Sequence, residues 1–226
     1  MSNEDEVVYK IVLIGESWAG KTSIINRFID DTFNENAIST LSVQFLRKNL
    51  ELPGNKRITL DIWDTAGQER FRSLNRIFYS NAKAVILVYD ITNKKTFDEI
   101  KNYWFLQIRQ YCSDDIIIAI AANKYDLYEL REVSNEEGEE FANSINAIFS
   151  STSAKNDNGI TNLFENIAMK MLEVNFNLHD KEQENREKIE NTKNLNKERT
   201  KNNKDNTKKL KLNKIKKKRK NAAKSF

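Results

Sequence analysis

The sequence predicts an α/β domain, a mostly parallel sheet with one antiparallel hairpin and helices between the strands. Three observations carry this. Apolar runs alternate with segments of helical spacing along the first three quarters of the chain. The runs Ala84 to Tyr89 and Ile116 to Ala122 are almost continuously apolar, as strands are when a sheet is covered on both faces. Pro53-Gly54-Asn55-Lys56 separates Phe45–Leu52 from Arg57–Trp63, and Pro then Gly at the centre of a turn joins antiparallel strands. In order, Val7–Ile14 (VVYKIVLI) reads as a strand entering a Gly-bounded loop, and Lys21–Asp30 as a helix. The hairpin follows, then the strand Ala84–Tyr89, a helix over Thr96–Tyr111 and the strand Ile116–Ala122. Ser134 with Glu137 three residues on predicts a capping box opening a helix through about Ile145. Ala147–Ser150 is a short strand and Ile160–Leu172 a last helix.

Composition limits the classes open to the chain. Its 226 residues are 39% apolar and 31% charged, which suits globular material over most of the length. No run approaches the roughly 18 apolar residues of a membrane span. Met1–Glu6 is acidic and lacks the basic and apolar regions of a signal peptide. The single Cys112 leaves no intrachain disulfide framework and reads as a buried structural thiol. These features together predict a soluble intracellular protein, expected to be a monomer. Charge is divided unevenly: of 37 basic and 33 acidic residues, 18 and 7 fall in Phe176–Phe226. That stretch carries +11 and leaves −7 for the rest. The expected organisation is an extension at 1–6, a domain at 7–175 and a charged, Lys/Asn-rich, disordered basic tail at 176–226. The tail is too poor in apolar residues to offset its ordering entropy, roughly 1–2 kcal/mol per residue. His179, the lone histidine, has no neighbouring ligand set.

Gly15-Glu16-Ser17-Trp18-Ala19-Gly20-Lys21-Thr22 matches G-x-x-x-x-G-K-[ST]. Such a loop needs glycines so that consecutive N–H groups curl around phosphate oxygens, a lysine for the β/γ-phosphates and a hydroxyl for Mg²⁺. With glycine at about 7% of residues, a chance match in a chain this long is on the order of 1%. The loop predicts a nucleoside triphosphate but leaves the base open. Asp61-Ile62-Trp63-Asp64-Thr65-Ala66-Gly67-Gln68-Glu69 follows the hairpin. By itself Asp64 reads more often as a strand-end cap. Beside a phosphate loop it is placed to hold magnesium, with Gly67 approaching the γ-phosphate and Gln68 orienting water. Asn123-Lys124-Tyr125-Asp126 follows an apolar strand, and Ser153-Ala154-Lys155 follows the next. A carboxylate in the base plane accepts from guanine N1–H and its 2-amino group. Adenine offers neither donor and would leave the carboxylate unpaired.

With these motifs in this order, residues 7 to about 173 resemble a Ras-superfamily small GTPase of the Rab type. Rab character rests on Trp63–Phe71 (WDTAGQERF), Arg72-Ser73-Leu74 and Leu87–Thr92 (LVYDIT). The resemblance implies a six-stranded sheet with the nucleotide at the carboxyl ends of its strands. It implies GTP/GDP and Mg²⁺ as cofactors, with Thr22, Thr40 and Asp64 organising the metal. Lys21, Thr40 and Gln68 would serve catalysis. Gly15, Glu16, Ser17, Trp18, Ala19, Gly20, Lys21, Thr22 and Ser23 would surround the phosphates with Thr40 and Gly67. Phe33, otherwise an ordinary core aromatic, would pack over guanine beside Asn123, Lys124, Asp126, Ser153, Ala154 and Lys155. The implied protein is a GTP-hydrolysing switch in vesicle traffic, with effectors on its switch regions, an exchange factor and a GTPase-activating protein. The alternative is a non-cycling guanine-nucleotide scaffold whose tail binds anionic membrane, nucleic acid or an import receptor.

The chain departs from the Rab pattern at Trp18, bulky for its loop, and at Ser42 and Gln44 in the first switch. Phe78-Tyr79-Ser80-Asn81-Ala82 replaces Tyr-Tyr-Arg-Gly-Ala. The sequence ends Ala222-Ala223-Lys224-Ser225-Phe226 where Rabs carry prenylated cysteines, and Ser2 gives no myristoylation signal. The sequence thus shows no anchor signal, and the expectation is a cytoplasmic protein, peripheral on the cytosolic face of an endomembrane, with nuclear targeting by the tail left open. A solvated charge run, an anionic-lipid contact, a nuclear-import or nucleic-acid patch and an undetected lipid anchor all remain readings of the tail. Lys208–Lys220 holds nine basic residues in thirteen and no acid, and each can contribute about 1 kcal/mol near an anionic leaflet. The full chain should sediment with phosphatidylserine vesicles at low salt. It should be released at high salt, because the Debye length falls from about 10 Å at 0.1 M to about 3 Å at 1 M. A chain shortened to Phe176 should stay in the supernatant. Salt-resistant sedimentation, or equal sedimentation of the shortened chain, would show that tail charge is not the attachment.

Overall fold

The computed structural model describes residues 7–36, 40, 43–65 and 75–176, and the chain divides into two units, 1–173 and 174–226. In the first unit β1 (Val8–Ile14) leads through a loop into α1 (Lys21–Asp30). The hairpin of β2 (Gln44–Leu52) and β3 (Lys56–Asp64) turns on Gly54 and Asn55, both with positive φ. A short α2 (Asn75–Tyr79) precedes β4 (Ala84–Asp90). Next come α3 (Lys94–Glu99), a π-helical stretch Ile100–Trp104 and α4 (Phe105–Tyr111). Then follow β5 (Ile117–Asn123), a 3₁₀ turn Tyr125–Leu130, α5 (Asn135–Ser144) and β6 (Ile148–Ser151). Residues 160–176 are helical, and 160–173, here α6, belong to the first unit.

The six strands stand in the order β2-β3-β1-β4-β5-β6, and β2–β3 is the antiparallel pair. From β1 the chain first builds outward on the β3 side and then crosses to β4, so its connections diverge at β1. Open α/β sheets leave a crevice at the carboxyl ends of strands around such a point.

Strand alternation sends successive side chains to opposite faces. Tyr9, Ile11 and Leu13 pack with Ile24 and Phe28 of α1 and with Leu163, Phe164 and Ile167 of α6. There Phe28 and Phe164 stack with ring centroids 3.8 Å apart and planes 11° from parallel. Val12 and Ile14 pack on the other face with Phe97, Ile100, Trp104, Ile108 and Ala142. β4, covered on both sides, is buried at all seven residues. Each large apolar side chain fully buried this way contributes roughly 1.5–3 kcal/mol.

Local details differ from the sequence reading where tertiary partners intervene. The helix expected over Thr96–Tyr111 begins at Lys94, because the Asn93 side chain caps the N–H of Lys95. It widens at Ile100, whose carbonyl accepts from Phe105 N–H five residues on. Ser134 caps Glu137 N–H at 3.1 Å, but only half of a capping box forms, since the Glu137 carboxylate pairs with Lys94. The last short strand is displaced by one residue, to Ile148–Ser151. Cys112 is half-buried rather than buried, and burial still pushes its thiol up to about 11. Asn81, where the Rab pattern has glycine, holds φ 59°, a left-handed conformation that Asn tolerates well.

Gly138 sits inside α5, where a Cβ would lie 2.5 Å from the Tyr89 hydroxyl and 2.7 Å from Phe149 Cε2. Alanine would gain up to about 1 kcal/mol of helix propensity, yet overpacking typically costs 1–3 kcal/mol and both neighbours belong to rigid aromatic side chains. Gly138→Ala should therefore lower Tm by a few degrees in a thermal melt. An equal or higher Tm would mean that the rings yield freely.

Candidate functional site

The loops that follow β1, β5 and β6, with the segment after α1, line a cleft of about 270 Å³. Its lining includes Ser17, Trp18, Gly20, Lys21, Thr22, Ser23, Phe33, Thr40, Asn123, Lys124, Asp126, Ala154 and Lys155, as the sequence led us to expect, together with Asn34, Glu35 and Leu127. Gly15, Glu16, Ala19, Ser153 and Asp64 stand behind this lining. Gly67 and Gln68 lie outside the described residues, as do His179 and the basic tail.

One end of the cleft is shaped by the loop between β1 and α1. A Cβ on Gly15 would lie 2.2 Å from the Val88 carbonyl oxygen, and one on Gly20 would lie 2.2 Å from Asn123 Nδ2. Both positions have positive φ, so no other residue fits. The first N–H groups of α1 have no partner within the helix and point out of its start, which favours anions. Lys21 is 5% exposed, and its ammonium donates to the carbonyls of Gly15 and Glu16, both at 2.9 Å. Burial lowers its pKa to about 8, opposed by the nearby charges of Asp64 and Glu16. Trp18 takes φ 69° with its indole 64% exposed at the cleft rim.

Three oxygen groups from separate segments meet beside Lys21. The Thr22 hydroxyl donates to Asp64 Oδ2 at 2.6 Å and lies 2.5 Å from the Thr40 hydroxyl. With its one proton given to Asp64, Thr22 accepts from Thr40. Asp64 Oδ1 is buried with no protein partner, and burial raises the pKa of its carboxyl against the opposing pull of Thr22 and Lys21. An orphaned carboxylate oxygen beside two hydroxyls fits a hard divalent cation. Magnesium commonly takes one or two carboxylates and completes its shell with phosphates and water.

The other end is held by hydrogen bonds that sequence reasoning did not supply. Asn123, 2% exposed, donates from Nδ2 to Ala19 O at 2.9 Å and accepts at Oδ1 from the Thr152 hydroxyl at 3.3 Å. It braces three loops. Lys124 adopts φ 63° and pairs with Asp90 at 2.6 Å. The Ser153 hydroxyl donates to Asp126 Oδ1 at 2.6 Å, which fixes the carboxylate facing the cleft. Arg27 of α1 donates to Ala154 O at 2.8 Å. Glu35 pairs with Lys155 at 2.7 Å beside Phe33. The serine and lysine of the Ser153-Ala154-Lys155 loop thus act on different neighbours. Of the residues missed, Asp90 had a signal, a carboxylate at a strand's carboxyl end; Arg27 and Thr152 had none.

Known proteins resemble this chain in sequence. The Ras family model matches residues 10–173. The chain is 44% identical to human Ras-related protein Rab-21 over 166 residues, covering 74% of this chain and 73% of that one. It is 43% identical over 166 residues to Ras-related protein RabC of Dictyostelium discoideum, covering 72% and 83%. Against bovine Ras-related protein Rab-8A the figure is 44% over 168 residues, covering 74% and 80%. With the phosphate loop, the hydroxyl–carboxylate cluster and the Asp126 segment around one cleft, this chain belongs to the Ras family and, within it, to the Rab type.

Proposed function

We propose that the chain is a GTP-hydrolysing switch that regulates intracellular vesicle traffic, with the cleft as its guanine-nucleotide site. The observation that carries this reading is the placement of two opposed chemistries around one cleft. Lys21 and the start of α1 offer positive charge at one end, and Asp126, held by Ser153, offers a carboxylate at the other. That separation suits a molecule with anionic phosphates at one end and paired N–H donors at the other, which is guanine nucleotide. Membership of the Rab type supports the assignment to vesicle traffic and to effectors, exchange factors and activating proteins as partners.

Each residue then has a task. Lys21 exchanges its two loop carbonyls for phosphate oxygens, and an anion at that distance raises its pKa and keeps it charged. Thr22 and Asp64 would hold magnesium, and Thr40 would join them from the first switch segment. The ion, when bound, neutralises charge between the β- and γ-phosphates. Thr40, which reaches the cluster through its hydroxyl, would respond to what the cluster holds. Phe33 and the stem of Lys124 flank the base, and Asp126 selects it. Gln68 would orient the attacking water. The described residues place no arginine at the phosphate end, so unassisted turnover should be slow, on the order of 10⁻⁴ to 10⁻³ s⁻¹ as in Ras.

Base selection rests on one carboxylate. Asp126→Asn should weaken GTP binding by two or more orders of magnitude and improve xanthosine triphosphate, whose C2 oxygen accepts from the new amide. Competition binding with an unchanged preference for GTP would remove Asp126 from the role. Single-turnover hydrolysis tests the cycle. Gln68→Leu should keep nucleotide and hydrolyse it at least tenfold more slowly, and Thr22→Asn should lose GTP affinity more than GDP affinity in magnesium. Wild-type behaviour in both variants would leave a guanine-nucleotide binder that does not cycle.

A further inference from the structure

We propose that Trp104 is a positioning residue for the phosphate loop: its indole N–H holds the Glu16 carboxylate, and through Glu16 the loop that seats Lys21. The inference rests on the nucleotide-binding reading above and assigns part of that site's grip to a side chain that never touches the ligand.

The contact joins distant segments. Trp104 Nε1 donates to Glu16 Oε1 at 3.0 Å across 88 residues of sequence. Trp104 is 1% exposed, and a buried indole N–H needs an acceptor. Its backbone belongs to the π-helical stretch Ile100–Trp104, where the Phe105 N–H bonds to the Ile100 carbonyl. Such a wide turn adds one residue to a helix and is frequent at functional sites. Here it lies in the helix packed beneath β1, next to the phosphate loop.

Glu16 transmits the hold. Its carbonyl accepts from Lys21 Nζ at 2.9 Å and from Ala19 N–H at 3.3 Å, so the residue under the indole also forms the lysine's seat. Its carboxylate is one of two negative charges that sustain the buried Lys21 ammonium. The same negative charge would repel phosphates if it swung into the cleft. A neutral N–H donor restrains the carboxylate without cancelling its field at Lys21, which a Lys or Arg in the same place would do. The chemistry of the pair therefore suits a loop that must carry an acid beside an anionic ligand.

The test is a double-mutant cycle on the full chain with Trp104→Phe, Glu16→Ala, Glu16→Gln and the Phe/Ala double variant. It is read by the GTP dissociation rate with a fluorescent analogue and by the indole N–H signals in ¹H–¹⁵N spectra. The chain has three tryptophans, so the signal lost in Trp104→Phe is its own assignment. Removing a hydrogen bond to a charged group should speed GTP release about tenfold in Trp104→Phe. Glu16→Ala should do the same and shift the Trp104 indole signal. Glu16→Gln, which keeps an oxygen acceptor, should stay nearer to wild type in both readouts. The double variant should release GTP no faster than either single variant, because the two act through one contact. Multiplying effects, or an indole signal unmoved by Glu16→Ala, would overturn the inference while leaving the nucleotide site intact. Release at the wild-type rate in Trp104→Phe would overturn it equally. If Trp104→Phe folds poorly, the two Glu16 variants decide alone. A wild-type chain that retains no guanine nucleotide would bring down the functional reading and the positioning role together.

Discussion

The hydrogen bond from Asn123 Nδ2 to Ala19 O is the tie on which the cleft depends. It joins the end of β5 to the phosphate loop, and through Oδ1 it also engages Thr152 beyond β6. A buried amide with both ends occupied is worth more than its two bonds, because losing either partner strands a polar group away from water. Gly20 shows how tightly the tie is drawn, since the amide lies where a side chain would begin. The two ends of the cleft are thus set at a fixed separation before any ligand arrives. Such preorganisation lets a small site hold a polar molecule firmly, because the ordering cost is met during folding.

A different logic governs the charges. Lys21 is buried at a cost that two carbonyls and two carboxylates only partly offset, so its pKa falls to about 8. Asp64 is buried beside it and shifted the opposite way, with one oxygen unsatisfied. An incompletely compensated cation and an incompletely compensated anion sit within one cluster. A ligand bringing phosphate oxygens to the lysine and a divalent ion to the carboxylate would relieve both deficits. The chain of hydroxyls from Thr40 through Thr22 to Asp64 makes the Thr40 segment part of that balance.

The sheet was legible because its strands carry their own signal. Unbroken apolar runs of strand length in β4 and β5 read as strands covered on both faces, and Pro53-Gly54 marks the hairpin. The phosphate loop was legible because its chemistry admits few residues at few spacings. What escaped was set by contacts far apart in sequence. The Glu137 carboxylate left the expected capping box for Lys94, which α3 brings within reach. The π stretch at Ile100 leaves no mark on spacing, since Phe97, Ile100, Trp104 and Ile108 would share one face of a regular helix as well. Asn123 read as a base contact, and its second task, bracing the loops at Ala19 and Thr152, had no signal in the sequence. Arg27 gives no sequence hint that it will reach Ala154.

Backbone strain shows where function has overruled fold. With six glycines in 226 residues, the chain fills many left-handed positions with other residues. Among the described residues outside glycine, positive φ occurs at Asp31, Asn55, Asn81, Asn146 and Asp157, and at Trp18 and Lys124. The first five are Asn or Asp, whose short polar side chains tolerate this conformation. Trp18 and Lys124 have no such excuse, and each carries roughly 1–2 kcal/mol of backbone cost. Both line the cleft. Lys124 recovers part of the cost through its ion pair with Asp90. Trp18 instead leaves a large indole at the rim of the phosphate end, where folding gains little from it. Strain of this kind persists only where the surroundings impose it. Here the tight turn between Gly15 and Gly20 imposes the backbone at Trp18, and the tie between Asn123 and Ala19 holds that turn in place.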